Sequence, residues 1–234
     1  MKLNNLYQYP TSTRALYNGE RMYDVASETK LPSVTTILSA TQPPEKKASL
    51  AAWAARVGVD AADKIRDDAA ARGTIMHNIL ESWIKDQPHV DLTETGQLAE
   101  KMAYQILTNG LRDRLNEYWG MEVTLYYPGL YAGATDVVGL YEGAESIVDF
   151  KQSNKPKRRE WIEDYKLQLA AYALAHNEAY GTSINKGVNL ICTKDCYFQK
   201  FEFDGNEFRQ AKFDWLRRVD QYYNEKEKDG KEEI

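Results

Sequence analysis

Asp149 and Lys151 stand two residues apart in Ile147-Val148-Asp149-Phe150-Lys151, and Asp136 lies upstream in Gly133-Ala134-Thr135-Asp136-Val137-Val138. On a strand, Asp149 and Lys151 share one face while Val148 and Phe150 take the other. Burying a carboxylate and an ammonium in so apolar a segment is costly unless they pair or bind a metal. Carboxylate oxygens from two neighbouring strands, with waters, suit a hard cation such as Mg²⁺ or Mn²⁺, and the backbone carbonyl of Phe150 is a further candidate ligand. A lysine beside such an ion can position or deprotonate a water and stabilise charge growing on a phosphate. The chemistry this spacing points to is metal-dependent phosphodiester hydrolysis. One structural Asp149–Lys151 ion pair is the alternative.

Two further groups have the right types. Gln168 and Tyr172 are four apart, on one face of a predicted helix, and could orient Lys151 or a phosphate. A core tyrosine beside a solvated glutamine is the other reading. His77 and Glu81 are likewise four apart, in Arg72-Gly73-Thr74-Ile75-Met76-His77-Asn78-Ile79-Leu80-Glu81. A histidine near two carboxylates moves preference from Mg²⁺ toward Mn²⁺. A lone helical histidine is otherwise structural, the reading given to His89 and His176.

The elements that must position these side chains follow from periodicity and turn signals. A hairpin is expected over 14–25 around Asn18-Gly19, then a short helix from 34 to 39 capped by Ser33. Pro43-Pro44 breaks the chain before an Ala-rich helix over 45–71, and Gly73 interrupts before a second helix at 74–85. A third is expected over 93–119. The period then changes to two, predicting strands at 121–127, 131–141 and 146–152, a helix at 159–180, strands at 187–193 and 197–203, and a last helix at 207–225. The expected organisation is one domain over 1–234. It comprises a hairpin and helices over 1–120, a core over 121–226 and a frayed tail at 227–234.

Taken together, His77, Asp136, Asp149-Phe150-Lys151 and Gln168-Leu169-Ala170-Ala171-Tyr172 resemble the motif series of the PD-(D/E)XK nuclease superfamily, in its RecB-like branch. Thr135 stands where that pattern usually has proline. Leu31-Pro32-Ser33-Val34-Thr35-Thr36-Ile37-Leu38, the Thr-Gln-Pro-Pro-Glu stretch and the Trp53 helix are similar to the group holding mitochondrial genome maintenance exonucleases and related phage exonucleases. The resemblance covers roughly 31–204 and implies an α/β, restriction-endonuclease-like core: a central mixed sheet flanked by helices, with an N-terminal helical elaboration. It implies an exonuclease acting on single-stranded DNA with a free end, using one or two Mg²⁺ or Mn²⁺ ions. His77, Asp136, Asp149 and the Phe150 carbonyl would be metal ligands. Asp136, Asp149, Lys151, Gln168 and Tyr172 would be catalytic. A flap endonuclease and a non-cleaving DNA-binding recombination partner are the alternatives, and RNA stays open as substrate.

Composition agrees. The 234 residues are 43% hydrophobic with net charge −5, so duplex nucleic acid would not be coated by bulk charge. Any strand needs a local basic patch, and Lys155, Lys157, Arg158 and Arg159 follow the Asp–Lys strand, with Ser153 and Asn154 able to reach a phosphate. Thr35 and Thr36 near a helix start are further candidates, with capping as the competing reading. Sixteen tyrosines and five tryptophans offer base-stacking surfaces. Cys192 and Cys196 are too few for an iron–sulfur cluster and read as buried small hydrophobes. No membrane-spanning run, secretory signal or transit peptide is evident, so a cytoplasmic phage or bacterial protein is expected. Single-stranded DNA is the expected partner, with replication or recombination proteins as candidates and a monomer preferred.

Overall fold

The computed structural model describes residues 1–25 and 28–232. In chain order the elements are β1 (Lys2–Leu3), β2 (Ser12–Tyr17), β3 (Glu20–Val25), β4 (Glu28–Pro32), α1 (Val34–Ala40), α2 (Pro44–Val57), α3 (Val59–Ile84), α4 (Glu94–Ile106), β5 (Leu115–Tyr127), β6 (Tyr131–Tyr141), β7 (Ala144–Ser153), α5 (Glu163–Tyr180), β8 (Lys186–Thr193), β9 (Phe198–Asp204) and α6 (Gly205–Glu232). Six strands form one mixed sheet in the order β1-β5-β6-β7-β8-β9, parallel at β1/β5 and β7/β8 and antiparallel elsewhere. Parallel strands need a long crossover, and α5 provides it between β7 and β8.

The two sheet faces carry separate apolar layers. Ile147, Val138, Leu169 and Trp215 pack where α1, α5 and α6 cover the sheet. Val148, Phe150, Met76 and Met102 pack where α3 and α4 cover it. The alternation expected for the Asp–Lys strand is therefore present, and the fold is the mixed sheet flanked by helices that the motifs implied. A small antiparallel sheet, β2-β3-β4, stands beside it. Its hairpin turns at Asn18 and Gly19, both with positive φ (49° and 80°). No helix among the described residues is long and apolar enough to cross a membrane.

Three boundaries differ from the sequence reading. The helical break falls at Gly58 (φ 91°), a conformation that favours glycine, whereas α3 runs straight through Gly73. Gly73 is small for packing: a Cβ there would lie 3.1 Å from Gln152 Cγ on β7. The helix expected to reach 119 ends at Ile106, followed by a wide turn over Leu107–Leu111, and β5 already starts at Leu115. Two register shifts in β5, at Leu115/Glu117 and Tyr118/Gly120, explain the misreading. Each bulge breaks strict alternation, so Leu115, Tyr118 and Trp119 are all buried at a spacing that imitates a helix. Finally, α6 continues through most of the segment expected to fray, reaching Glu232, while residues 233–234 lie outside the described ones.

Helix α2 stands apart: none of its residues is buried, although it packs on α3. Its start is tied to α5 by the Lys46–Asp164 ion pair.

His176 on α5 is fully buried among Tyr7, Tyr9, Trp119 and Tyr180. Its ring nitrogens meet Tyr9 Oη at 3.2 Å and Thr182 Oγ1 at 2.8 Å. Neutral imidazole is satisfied there, and burial pushes its pKa down to about 4. Below about 6.5 the unfolded chain takes up a proton that the folded chain refuses, so this contribution is full above that pH and is lost as pH falls toward 4. In urea unfolding, the wild type should lose about 2 kcal/mol more than His176→Asn between pH 7 and pH 4.5. Equal losses would remove the histidine from the acid sensitivity of the fold.

Candidate active site

The site forms where α3 crosses the ends of β6 and β7. Val137 pairs with Val148, which sets Asp136 and Asp149 side by side across the two strands. Both are buried, at 8% and 2% exposure. Asp136 Oδ2 accepts from the Phe150 backbone N–H at 2.6 Å, and its Oδ1 faces His77 Nδ1 at 3.4 Å. Asp149 is engaged differently: Lys151 Nζ lies 2.8 Å from Oδ1 and 2.6 Å from Oδ2, and Asn189 Nδ2 donates to Oδ2 at 3.1 Å.

Charge is distributed unequally over the four groups. Burial disfavours the His77 imidazolium, but the Asp136 carboxylate overrides it and raises the pKa to about 10. Burial likewise opposes the Asp136 charge, yet His77 holds this carboxyl below the usual range. Burial pushes Asp149 up to about 6, against the pull of Lys151 and with Asp136 adding to the rise. Lys151 resists its own burial because Asp149 and Asp136 hold its ammonium, so its pKa is raised.

Glu122 on β5 is the neighbour that sequence reasoning missed. Its Oε1 lies 3.9 Å from His77 Nδ1, and ligand atoms of His77, Glu122 and Asp136 all fall within 4.8 Å of one another. One imidazole and two carboxylates are a donor set that fits Mn²⁺ or Mg²⁺. The Glu122 backbone is left-handed (φ 52°), an unusual conformation for this residue type in a strand and one that re-aims its side chain. An acid between Met121 and Val123, in a strand pairing with the Asp136 strand, was the available signal. Glu81, one helical turn after His77, pairs with Lys85 at 2.5 Å, although it lines the same cavity. Asn189, in the buried run Val188-Asn189-Leu190, was also overlooked.

The remaining candidates divide. Gln168 Nε2 donates to Tyr172 Oη at 3.1 Å. Burial, with smaller contributions from Tyr23, Asp149 and Asp136, raises Tyr172 well above its ordinary pKa. Gly133 makes room for it: a Cβ there would fall 2.8 Å from the Tyr172 ring. Phe150 sets its ring edge-on to His77 at 5.9 Å. Thr35 and Thr36 are spent on the cap: Ser33 Oγ contacts both hydroxyls, and Thr36 Oγ1 donates to the Arg21 carbonyl at 3.0 Å. Ser153 is buried and donates to the Lys155 carbonyl at 2.7 Å. Arg158 stacks on Trp161, and Arg159 is held by Glu207 and the Glu202 carbonyl. Of the basic run, Lys155 and Lys157 line a cavity adjoining the site. The site's own cavity, about 570 Å³, is lined by His77, Glu122, Lys151, Gln152, Thr74 and Arg14 among others.

A family model for the PD-(D/E)XK nuclease superfamily matches residues 38–230. Mitochondrial genome maintenance exonuclease 1 of Mus musculus is 29% identical over 209 residues, covering 85% of this chain and 60% of its own length. The Homo sapiens protein of the same name is 27% identical over 207 residues, covering 84% and 59%. The chain thus spans about three fifths of the length of these relatives.

Glu122 can be separated from Glu81 by calorimetric Mn²⁺ titration. Glu122→Gln should weaken binding by at least about tenfold, while Glu81→Gln stays within about twofold of wild type. The opposite order would return Glu81 to the site.

Proposed function

This chain belongs to the PD-(D/E)XK nuclease superfamily, and from that premise we propose that it is a divalent-metal-dependent exonuclease acting on single-stranded DNA with a free end. The observation that carries the reading is one cavity lined by His77, Glu122 and Lys151, with Asp136 in ligand reach of the first two and Asp149 paired to the lysine. A structural ion pair alone would leave the three-residue group without a purpose. The relatives, mitochondrial genome maintenance exonucleases by name, support the narrower reading of activity.

His77, Glu122 and Asp136 would hold the ion, with Asp149 and the Phe150 carbonyl as further oxygen donors. A divalent cation there supplies positive charge to the phosphate and lowers the pKa of a nearby water. Lys151, fixed by Asp149, presents its ammonium to the cavity, where it positions that water and offsets charge on the phosphate oxygens as the bond to phosphorus forms. Gln168 and Tyr172 keep the inner wall in place through their hydrogen bond. The water oxygen joins phosphorus, the 3′ oxygen leaves and takes a proton, and the product carries a 5′ phosphate.

End-labelled linear single-stranded DNA and a circular control, each with Mg²⁺, Mn²⁺ or EDTA, test this directly. The linear strand should disappear only with metal, the circle should persist, and Lys151→Ala should slow the reaction by about 10²–10³-fold. Cleavage of the circle would make the protein an endonuclease. Binding without cleavage under either metal would make it a DNA-holding module. Faster loss of a matched RNA strand would move the substrate class.

A further inference from the structure

Arg72 on α3 is buried (8% exposed), with Asp68 one helical turn away as the acid acting on it. Its Nε and Nη2 donate to Gln152 Oε1 at 3.2 and 2.8 Å, and Nη2 also donates to Asn154 Oδ1 at 2.5 Å. No carboxylate among the described residues comes within 4.0 Å of its guanidinium. A buried cation is ordinarily paired, because amide oxygens alone compensate its lost hydration poorly. The two amides engage Nε and Nη2 and leave Nη1 over, and Arg72 lines a cavity of about 700 Å³.

That cavity is cationic and aromatic. Lys155, Lys157 and Lys194 line it with Arg72, against one acid, Asp68, and Trp53 and Tyr165 form part of its wall. In a chain of net charge −5 this is a local reversal of sign. The cavity also adjoins the active site. Gln152, which holds Arg72, lines both cavities, and the Tyr165 ring lies 5.3 Å from Lys151 Nζ.

We infer that Arg72 is a phosphate-binding residue: with Lys155 and Lys194 it holds a backbone phosphodiester of the strand next to the one being cleaved, while Trp53 offers a face for a base. Nη1, whose N–H groups have no partner among the described residues, is left to donate to a phosphate oxygen, while the two amide oxygens hold the rest of the guanidinium in place. Gln152 and Asn154 are positioning residues for that guanidinium. The inference deepens the proposed nuclease reading and rests on it.

Fluorescence anisotropy tests it with a labelled single-stranded oligonucleotide in EDTA, across salt concentrations, and with single phosphates replaced by neutral methylphosphonates. Cleavage by the wild type with Mn²⁺ is followed in parallel. The wild type should lose about tenfold in affinity at one methylphosphonate position. Arg72→Lys keeps the charge but not the guanidinium, and should lose that position-specific sensitivity. The Lys155→Ala/Lys194→Ala double variant, which leaves Arg72 untouched, should lower the slope of log affinity against log salt by up to about 0.7, the share of one phosphate on a single strand. If Arg72→Lys fails to fold by thermal melting, the lysine pair decides the matter. Variants with wild-type slope and wild-type sensitivity, beside a wild type that still cleaves, would overturn the phosphate site alone. A wild type that neither binds nor cleaves the strand would overturn the nuclease reading with it.

Discussion

The Asp136 carboxylate takes a backbone hydrogen bond that a strand would otherwise have taken. The β6–β7 pairing runs from the Tyr141/Ala144 turn only as far as Val137 and Val148. Beyond it, the Phe150 N–H goes to Asp136 Oδ2 instead of a β6 carbonyl. A buried N–H must find a partner, and a buried carboxylate must find donors, so each satisfies the other's need. The side-chain cap lets the two strands separate without leaving an orphaned group, and the cleft opens at that separation. His77 arrives from the opposite layer because Asp136 Oδ1 is left facing it. Lys151 and Asn189 then hold the two oxygens of Asp149.

Polar groups in apolar segments were what the sequence displayed best. Asp136, Asp149 and Lys151 each interrupt a run that would otherwise read as an ordinary core strand, so their types and spacing marked them as candidates before any geometry. His77 and the Gln168–Tyr172 pair were legible as helical faces. Glu122 was not, since an acid on a strand is by default a solvent-facing residue, and its relevance depends on a left-handed backbone that periodicity does not report. Arg72 was hidden for a different reason: an arginine on a helix reads as surface, and its burial appears only once α3 is laid against β7 at Gly73. Elements were legible wherever alternation was clean. They failed at β5, where two bulges converted a strand's pattern into a helix-like one, and at Gly58 and Gly73, where the same residue serves a turn in one place and close packing in the other.

The basic run after β7 shows how little a charge count decides alone. Arg159 is spent on Glu207 and a backbone carbonyl, and Arg158 lies over Trp161 at the surface. The cationic wall is assembled from separate parts of the chain, one residue from α3, two from the β7–α5 connection and Lys194 from the turn after β8. Sequence adjacency and spatial adjacency coincide here only for Lys155 and Lys157.

The absence of buried residues in α2 has a mechanical consequence. The two apolar layers around the sheet unfold as cooperative bodies, whereas a helix that contributes nothing to either can be displaced while both stay whole. Its joints are Pro43, after which Pro44 begins the helix, and Gly58, whose positive φ ends it. The helix is thus a lever mounted at both ends, and Trp53 rides on it as part of the cationic cavity's wall. Besides its packing on α3, the partly exposed Lys46–Asp164 pair ties the start of that lever to α5, and salt screens this pair. Ionic strength therefore bears on one tether of the cavity's wall as well as on the attraction of a polyanion toward the cavity.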